Sequence, residues 1–200
     1  KTTFLRCMAD LEHPTGGDIR VNGVSPAEAR QSRAYGYVFQ AAGLYPWRTI
    51  GRNISLPLEI MGYEKRDIEA RVSRVLELVD LSGFAKKYPW QLSGGMQQRV
   101  GLARAMAVDP EILIFDEPFS ALDPLIRREM QDELLSLQAK LQKTMVFITH
   151  DFLEAIKMGD NIAIMKDGEI IYQGPRTNVD PYFSERGYVS PVSQLFKTTI

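Results

Sequence analysis

Two adjacent carboxylates, Asp116 and Glu117, follow the wholly apolar run Ile112 to Phe115. A short apolar stretch closed by charge and by Pro118 predicts a strand buried on both faces. Carboxylates at the end of such a strand can do two different jobs. One can hold a hydrated magnesium ion, which prefers hard oxygen ligands. The next can orient and deprotonate a water molecule. The alternative is that the pair merely ends a strand at solvent. Three more places carry residues of suitable type. Lys1-Thr2-Thr3 opens a helical pattern and matches the last residues of G-x-x-x-x-G-K-[ST], a phosphate-binding loop, though by itself it is no more than a basic chain start. Gln40 closes the strand candidate "YGYVFQ" and His150 closes "TMVFITH". Each alone is an ordinary strand-end polar residue. Ligands in open α/β sheets gather beyond such strand ends.

The stretch "QLSGGMQQRVGLARAM", Gln91 to Met106, poses a different question. Ser93 can cap a helix through its hydroxyl. Gly94 and Gly95 then stand in the first turn, where each costs about 1 kcal/mol relative to alanine. Such a start suits a close approach to bare backbone. A helix N-terminus without side chains in the way favours an anion, above all a phosphate. The plain alternative is a helix capped by Ser-Gly-Gly.

The elements that would position these residues alternate. "KTTFLRCMADL" has helical spacing, and "GDIRVNG" predicts a short strand ending in an Asn-Gly turn. The aromatics, prolines and glycines from Ala41 to Gly62 predict an irregular connection. "DIEARVSRVLELVDL" puts Ile68, Val72, Val75, Leu76 and Val79 on one helical face. Asp123 and Pro124 predict a cap and first turn, with Ile126, Met130, Leu134, Leu137 and Leu141 as the buried stripe. "TMVFIT" predicts another buried strand, and "NIAIMKDGEIIYQG" a hairpin about Asp-Gly. Strands alternating with helices predict an α/β layered core, and the helices between Gly51 and Ala107 an insertion in it. The segment from Thr177 to Ile200 shows no clear periodicity.

Bulk properties narrow the function classes. A net charge of -1 carries no nucleic-acid footprint. The single Cys7 excludes an internal disulfide, and His13 and His150 are too far apart in sequence to predict a zinc cluster. No apolar run approaches the roughly 18 residues that span a bilayer, and the opening residues do not read as a signal peptide. The expectation is a soluble chain whose membrane role, if it has one, runs through a partner. A start at lysine rather than methionine is read as that of a fragment.

In order, the chain carries Lys-Thr-Thr, a glutamine after a strand, Leu-Ser-Gly-Gly, an apolar strand with Asp-Glu, Ser-Ala-Leu-Asp and Thr-His-Asp. From Lys1 to about Gly174 it strongly resembles the ATP-binding cassette (ABC) ATPase family. The resemblance implies a P-loop NTPase (RecA-like) α/β core with an inserted α-helical subdomain, in one domain over 1–200. Its expected parts are core 1–45 and 108–176, helical subdomain 46–107 and C-terminal tail 177–200. The glycine loop and early strands of the family would precede residue 1.

The resemblance also implies ATP and Mg2+ as cofactors and carries roles residue by residue. Lys1 would be the phosphate-loop lysine and Thr2 the magnesium-liganding hydroxyl, with Thr3 in the same turn. Gln40 would be the Q-loop glutamine, touching magnesium and the attacking water. Asp116 would serve the metal site, Glu117 would be the general base, and Asp123 would lie at a subunit interface. His150 would contact the γ-phosphate. Ser93, Gly94 and Gly95 look like the family signature, which in a head-to-tail dimer covers the nucleotide held by the other copy. Met96 departs from the family's usual glutamine and can supply no amide.

Two uses of such a domain compete. One is the motor of a membrane transporter, the other a soluble ABC ATPase of the DNA-repair or ribosome-associated kind. Between Gln40 and Ser93 there are no sustained heptads of a long coiled coil, which favours the transporter. The stretch "VFQAAGLYPWRTIGRNISLPLEIMG" resembles nitrate, sulfonate and taurine importers; the signature through "FITHD" looks more like glycine betaine/proline importers. Both imply uptake of a small polar solute. The implied partners are a second ATPase copy (homodimer or pseudo-dimer), integral-membrane permease subunits and, indirectly, a solute-binding protein, with no nucleic acid. The implied location is peripheral, at the cytoplasmic face of the cell membrane, with Leu44 to Trp47 near the permease.

Overall fold

A computed structural model describes residues 1–185. The chain opens with a short helix, α1 (Thr2–Met8), that buries Leu5 and Cys7. Helix α2 (Pro26–Gln31) starts from a reciprocal cap in which Ser25 and Glu28 satisfy each other's backbone N–H groups. Strand β1 (Tyr35–Val38) follows, then three helices, α3 (Ile50–Ile60), α4 (Lys65–Leu78) and α5 (Gly94–Met106). Strand β2 (Ile112–Asp116) is buried at all of its five positions. Helix α6 (Pro124–Leu141), strand β3 (Thr144–Ile148) and helix α7 (Phe152–Met158) come next. The hairpin β4 (Asn161–Lys166) and β5 (Glu169–Pro175) and helix α8 (Val179–Glu185) complete the described residues.

The sheet runs in the order β1-β2-β3, and β1 pairs with β2 in parallel, as an α/β core requires. Tyr37 lies opposite Ile114 and Val38 opposite Phe115, so the two strands finish side by side. Helix α5 packs on β1 at Gly36, where a Cβ would stand 2.5 Å from the carbonyl oxygen of Ala105. Only glycine allows that approach. Helices α3, α4 and α5 pack on one another, and α6 turns Met130, Leu134 and Leu137 inward with Ile126 and Leu141 half-buried.

Two compact units divide the chain between Val146 and Phe147, inside β3. The larger unit, Thr2–Val146, holds α1 to α6, β1, β2 and the start of β3. The smaller unit joins Lys1 to the segment after Val146. Its core is Ile162, Tyr172 and Val179, packed with Phe152, Ile156, Ile164 and Tyr182. Its hairpin turns at Asp167 and Gly168, with φ of 50° and 87°, the left-handed pair that a two-residue turn needs.

Three local expectations are corrected. The stretch from Ala41 to Gly62 is not wholly irregular, because α3 occupies Ile50–Ile60. Thr49 caps it by accepting from the Arg52 N–H, and Ile50, Ile54 and Leu58, one turn apart, are fully buried. Burial of that stripe outweighs the interior Pro57. "GDIRVNG" forms only a single bridge, Val21 to Val24, around Asn22-Gly23. A strand there has no neighbour among the described residues beyond that bridge. Strand β3 is half-buried rather than buried on both faces. Of the expected tail, 177–200, residues up to Glu185 end in α8 and the remainder lies outside the described residues.

Candidate functional site

The side-by-side ends of β1 and β2 create a polar cluster at the edge of an apolar core. Thr2, the first residue of α1, donates its hydroxyl to Asp116 Oδ1 at 2.8 Å. Tyr37, the penultimate residue of β1, donates its hydroxyl to Asp116 Oδ2 at 3.0 Å. Both oxygens of a buried carboxylate are therefore satisfied, as burial of a charge demands. Burial, reinforced by the bond to Asp116, pushes the Tyr37 phenol well above its ordinary range, so it remains a donor. The Thr2 and Asp116 oxygens are both hard ligands on rigid elements. A magnesium ion takes one or two protein ligands and keeps its remaining waters, and this pair fits that demand.

Glu117 leaves β2 with φ of +48°, although it is not glycine and precedes Pro118. A left-handed residue before proline is held there only by its surroundings. Those surroundings are a tight turn. Ser120 donates to the Glu117 carbonyl from its backbone N–H at 3.2 Å and from its Oγ at 2.9 Å. Gln40 reaches the same turn, its Nε2 donating to Ser120 Oγ at 3.1 Å. Gln98, on α5, donates from one Nε2 to the Gln40 carbonyl at 2.9 Å and to the Pro118 carbonyl at 2.5 Å.

The glycine-rich helix start divides into two cases. Ser93 caps α5, its Oγ accepting from the Met96 N–H at 3.3 Å. Gly94 is exposed, and a Cβ there would meet Leu122 at an ordinary 3.8 Å. Gly95 is buried, and a Cβ there would collide with Ile126 Cγ2 at 2.8 Å. The chain's own packing of α5 on α6 therefore accounts for Gly95, while Gly94 has bare backbone facing outward without an internal reason. Asp123 caps α6, Oδ1 accepting from the Leu125 and Ile126 N–H groups at 3.1 Å each. The starts of α5 and α6 thus lie together.

In the smaller unit, the Lys1 ammonium donates to the Thr149 carbonyl at 2.9 Å. The next residue, His150, is exposed between two local caps. Thr149 Oγ1 accepts from the Asp151 N–H at 2.9 Å, and Asp151 Oδ1 accepts from Leu153 and Glu154 at the start of α7. The Lys1 ammonium is thereby held at the residue before His150.

Of the expected residues in the larger unit, Thr2 and Asp116 meet directly, and Gln40 and Glu117 meet through Ser120. Ser93, Gly94, Gly95 and Asp123 gather at the α5 and α6 starts, while Thr3 is exposed on the first turn of α1. Tyr37, Gln98 and Ser120 belong to the site and were not singled out from sequence. Gln98 left a signal: it shares the i, i+4, i+7 spacing of the buried Leu102 and Ala105, so a polar side chain stands in a core position. Tyr37 left none beyond its nearness to a strand end, while Ser120 opens the Ser-Ala-Leu-Asp motif, in which only Asp123 was given a role.

A family model described as ABC transporter matches residues 1–120. Among curated proteins, the chain is similar to the trimethylamine N-oxide transport system ATP-binding protein TmoW of Ruegeria pomeroyi. The two are 51% identical over 178 residues, which cover 85% of this chain and 52% of that protein. It is also similar to the glycine betaine/proline betaine transport system ATP-binding protein ProV of Escherichia coli, 47% identical over 87% of this chain and 45% of that protein. Among solved structures, cbiO1 from Clostridium perfringens, part of the ABC transporter complex cbiONQ, superposes with a TM-score of 0.80 at 26% identity. That match covers 92% of this chain and 75% of cbiO1. The chain spans about half the length of these curated relatives.

Proposed function

The chain belongs to the ABC transporter family, and from that premise we propose that it drives an importer by hydrolysing Mg·ATP in a head-to-tail pair of ATPase copies. The observation that carries the proposal is the 2.8 Å bond between Thr2 and Asp116, two hard oxygens brought together beside Glu117. Thr2, Asp116 and Gln40 would hold the magnesium ion. When bound, that ion neutralises charge on the phosphates as the γ-phosphoryl group leaves. Glu117 accepts the proton of the attacking water, a contribution typically of about 10²–10⁴-fold. Lys1 and His150 present positive charge and a hydrogen-bond donor to the γ-phosphate. Ser93 already accepts from Met96, which leaves its hydroxyl proton to donate across the dimer, where the α5 N-terminus and the exposed Gly94 face the partner's phosphate.

The cargo proposed is a small methylated, zwitterionic solute, because the relatives' names specify trimethylamine N-oxide and glycine betaine. Among the described residues no helix is long and apolar enough to cross a membrane. Its likeness to ATP-binding proteins of transport systems supports a domain seated peripherally on permease subunits at the cytoplasmic face, with a solute-binding protein acting on the far side.

Glu117→Gln is the test of the chemistry. It is expected to keep Mg·ATP binding while hydrolysis falls by about 10²-fold or more. Near-wild-type hydrolysis would remove Glu117 from the role, and failure of the wild-type protein to hydrolyse ATP would remove the ATPase assignment. Uptake of labelled glycine betaine, trimethylamine N-oxide and taurine by the reconstituted transporter separates the cargoes; preference for taurine would overturn the one proposed.

A further inference from the structure

We infer that Gln98 is a positioning residue that locks the water-orienting Gln40 to the turn carrying Glu117; the inference rests on the assignment of those two residues to the ATPase reaction. Gln98 belongs to α5, yet its side chain crosses to the carboxyl end of the sheet. One amide nitrogen spends both of its N–H bonds there. It donates to the Gln40 carbonyl at 2.9 Å and to the Pro118 carbonyl at 2.5 Å. The first belongs to the residue that would orient the water, the second to the residue directly after the one that would deprotonate it. These backbones lie in different connections, one after β1 and one after β2. Ladder bonds do not extend to either carbonyl, so the amide of Gln98 supplies the constraint that the sheet no longer can.

A second link runs parallel to the first. Gln40 Nε2 donates to Ser120 Oγ, which donates to the Glu117 carbonyl. Together the two links close a ring through Gln40, Gln98 and the turn 117–120. That ring explains how Glu117 is kept at a φ of +48° before a proline. The amide orientation is set by its surroundings, because reversing it would aim Oε1 at two carbonyl oxygens. The consequence is visible on the other side of the group. Gln98 is only 6% exposed, and its Oε1 has no hydrogen-bond partner among the described residues. A residue selected only to fill the core at this place would be apolar, like the neighbouring Leu102 and Val100. The unpartnered acceptor marks a side chain kept for what its donor does.

The placement also makes Gln98 a mechanical link. Three residues separate it from Gly94 at the exposed helix start, and α5 is continuous between them. Ser93 and Gly94, proposed to face a partner's nucleotide, thus stand on the same helix as the side chain that ties Gln40 to the Glu117 turn.

Gln98→Met tests this, with Gln98→Leu as a second variant should the first not fold. Both remove the donor and also the unpartnered oxygen. The melting temperature and the dissociation constant for Mg·ATP are expected to stay near wild type while kcat falls by about 10²-fold, the scale of a small misplacement of reacting groups. In the Gln40→Ala background the same substitution is expected to cost clearly less, because the carbonyl that Gln98 holds remains but the side chain it positions is gone. A kcat within about twofold of wild type would overturn the inference, as would a parallel loss of melting temperature and ATP affinity, or fully multiplicative effects. Glu117→Gln assayed alongside separates the two claims: if it still hydrolyses ATP, the assignment of the base fails whatever Gln98 does.

Discussion

The hydroxyl of Thr2 lies 2.8 Å from a carboxylate oxygen of Asp116, 114 residues along the chain. A helix start and a strand end are thus joined at the point where the proposed metal would bind. Thr2→Val keeps the shape of the side chain and removes the oxygen. Loss of that hydrogen bond to a buried charge should destabilise the fold by about 1.5–3 kcal/mol. It should also raise the magnesium concentration for half-maximal hydrolysis by about 10-fold or more. A magnesium titration of the ATPase rate in the variant checks this; an unchanged half-point would exclude Thr2 from the metal site.

Gly95 and Gly94 should separate packing from function. Gly95→Ala gains helix propensity but drives a Cβ into Ile126 at 2.8 Å. Overpacking of about 1–3 kcal/mol set against a helix gain of about 1 kcal/mol predicts a net loss. Adding Ile126→Ala should make that loss smaller than the sum of the two single effects. Gly94→Ala meets only an ordinary contact at 3.8 Å and should leave stability unchanged or slightly raised. If its ATPase rate falls all the same, Gly94 is the residue that something outside the chain must approach. Urea unfolding and ATPase rates of the same preparations give both answers.

Asn53 should be among the most sensitive positions in α3. It is fully buried, accepts from the Tyr45 N–H at 2.7 Å and donates to the carbonyls of Tyr45, Arg48 and Thr49. It therefore ties Tyr45, part of the stretch Leu44 to Trp47 expected near the permease, to the helix that follows. Asn53→Ala takes this partner from the Tyr45 N–H and the Arg48 carbonyl, while the carbonyls of Tyr45 and Thr49 keep backbone donors, and should cost about 3 kcal/mol. Chemical denaturation measures the cost, and a loss near zero would contradict the network.

Tyr37 predicts an alkaline limb in the stability profile. Burial and the bond to Asp116 raise its folded-state pKa above the ordinary value of 10.0. As pH rises through the unfolded-state value, the unfolded chain releases a proton that the folded chain keeps. The unfolded state then binds fewer protons, so stability falls with rising pH above about 10. Tyr37→Phe should be less stable at neutral pH and have a shallower alkaline limb. The half-buried Tyr35, shifted in the same direction mainly by loss of hydration, should keep part of the slope in the variant. Unfolding measured between pH 8 and 11 tests the sign, and an identical slope in the variant would assign it elsewhere.

Much of the molecule was legible where the determining contacts are short in sequence. The cap of Ser93 on α5, the cap of Asp123 with Pro124 on α6 and the Asp167-Gly168 turn each depend on residues within three or four positions. The all-apolar Ile112–Phe115 run was sufficient to predict β2. Helix α3 was missed because Pro57 and the preceding aromatics obscured a stripe, Ile50, Ile54 and Leu58, that has ordinary helical spacing. The bridge at Asn22-Gly23 shows the reverse error, a good turn signal flanked by a segment with no strand to pair with.

By itself the sequence determined which chemical groups are present, their order along the chain and the starts of the helices that carry them, because caps, turns and apolar stripes are local interactions. The tertiary structure alone decided that Thr2 and Tyr37 share the carboxylate of Asp116. It alone decided that Gly95 belongs to the contact with Ile126, and that Gln98 reaches two carbonyls from separate connections. Those relationships depend on the register of β1 against β2 and on how closely α5 lies over Gly36. A hydrogen bond tolerates only a few tenths of an ångström. Whether two distant residues fall within that distance is set by the packing of whole elements, which no short stretch of sequence contains.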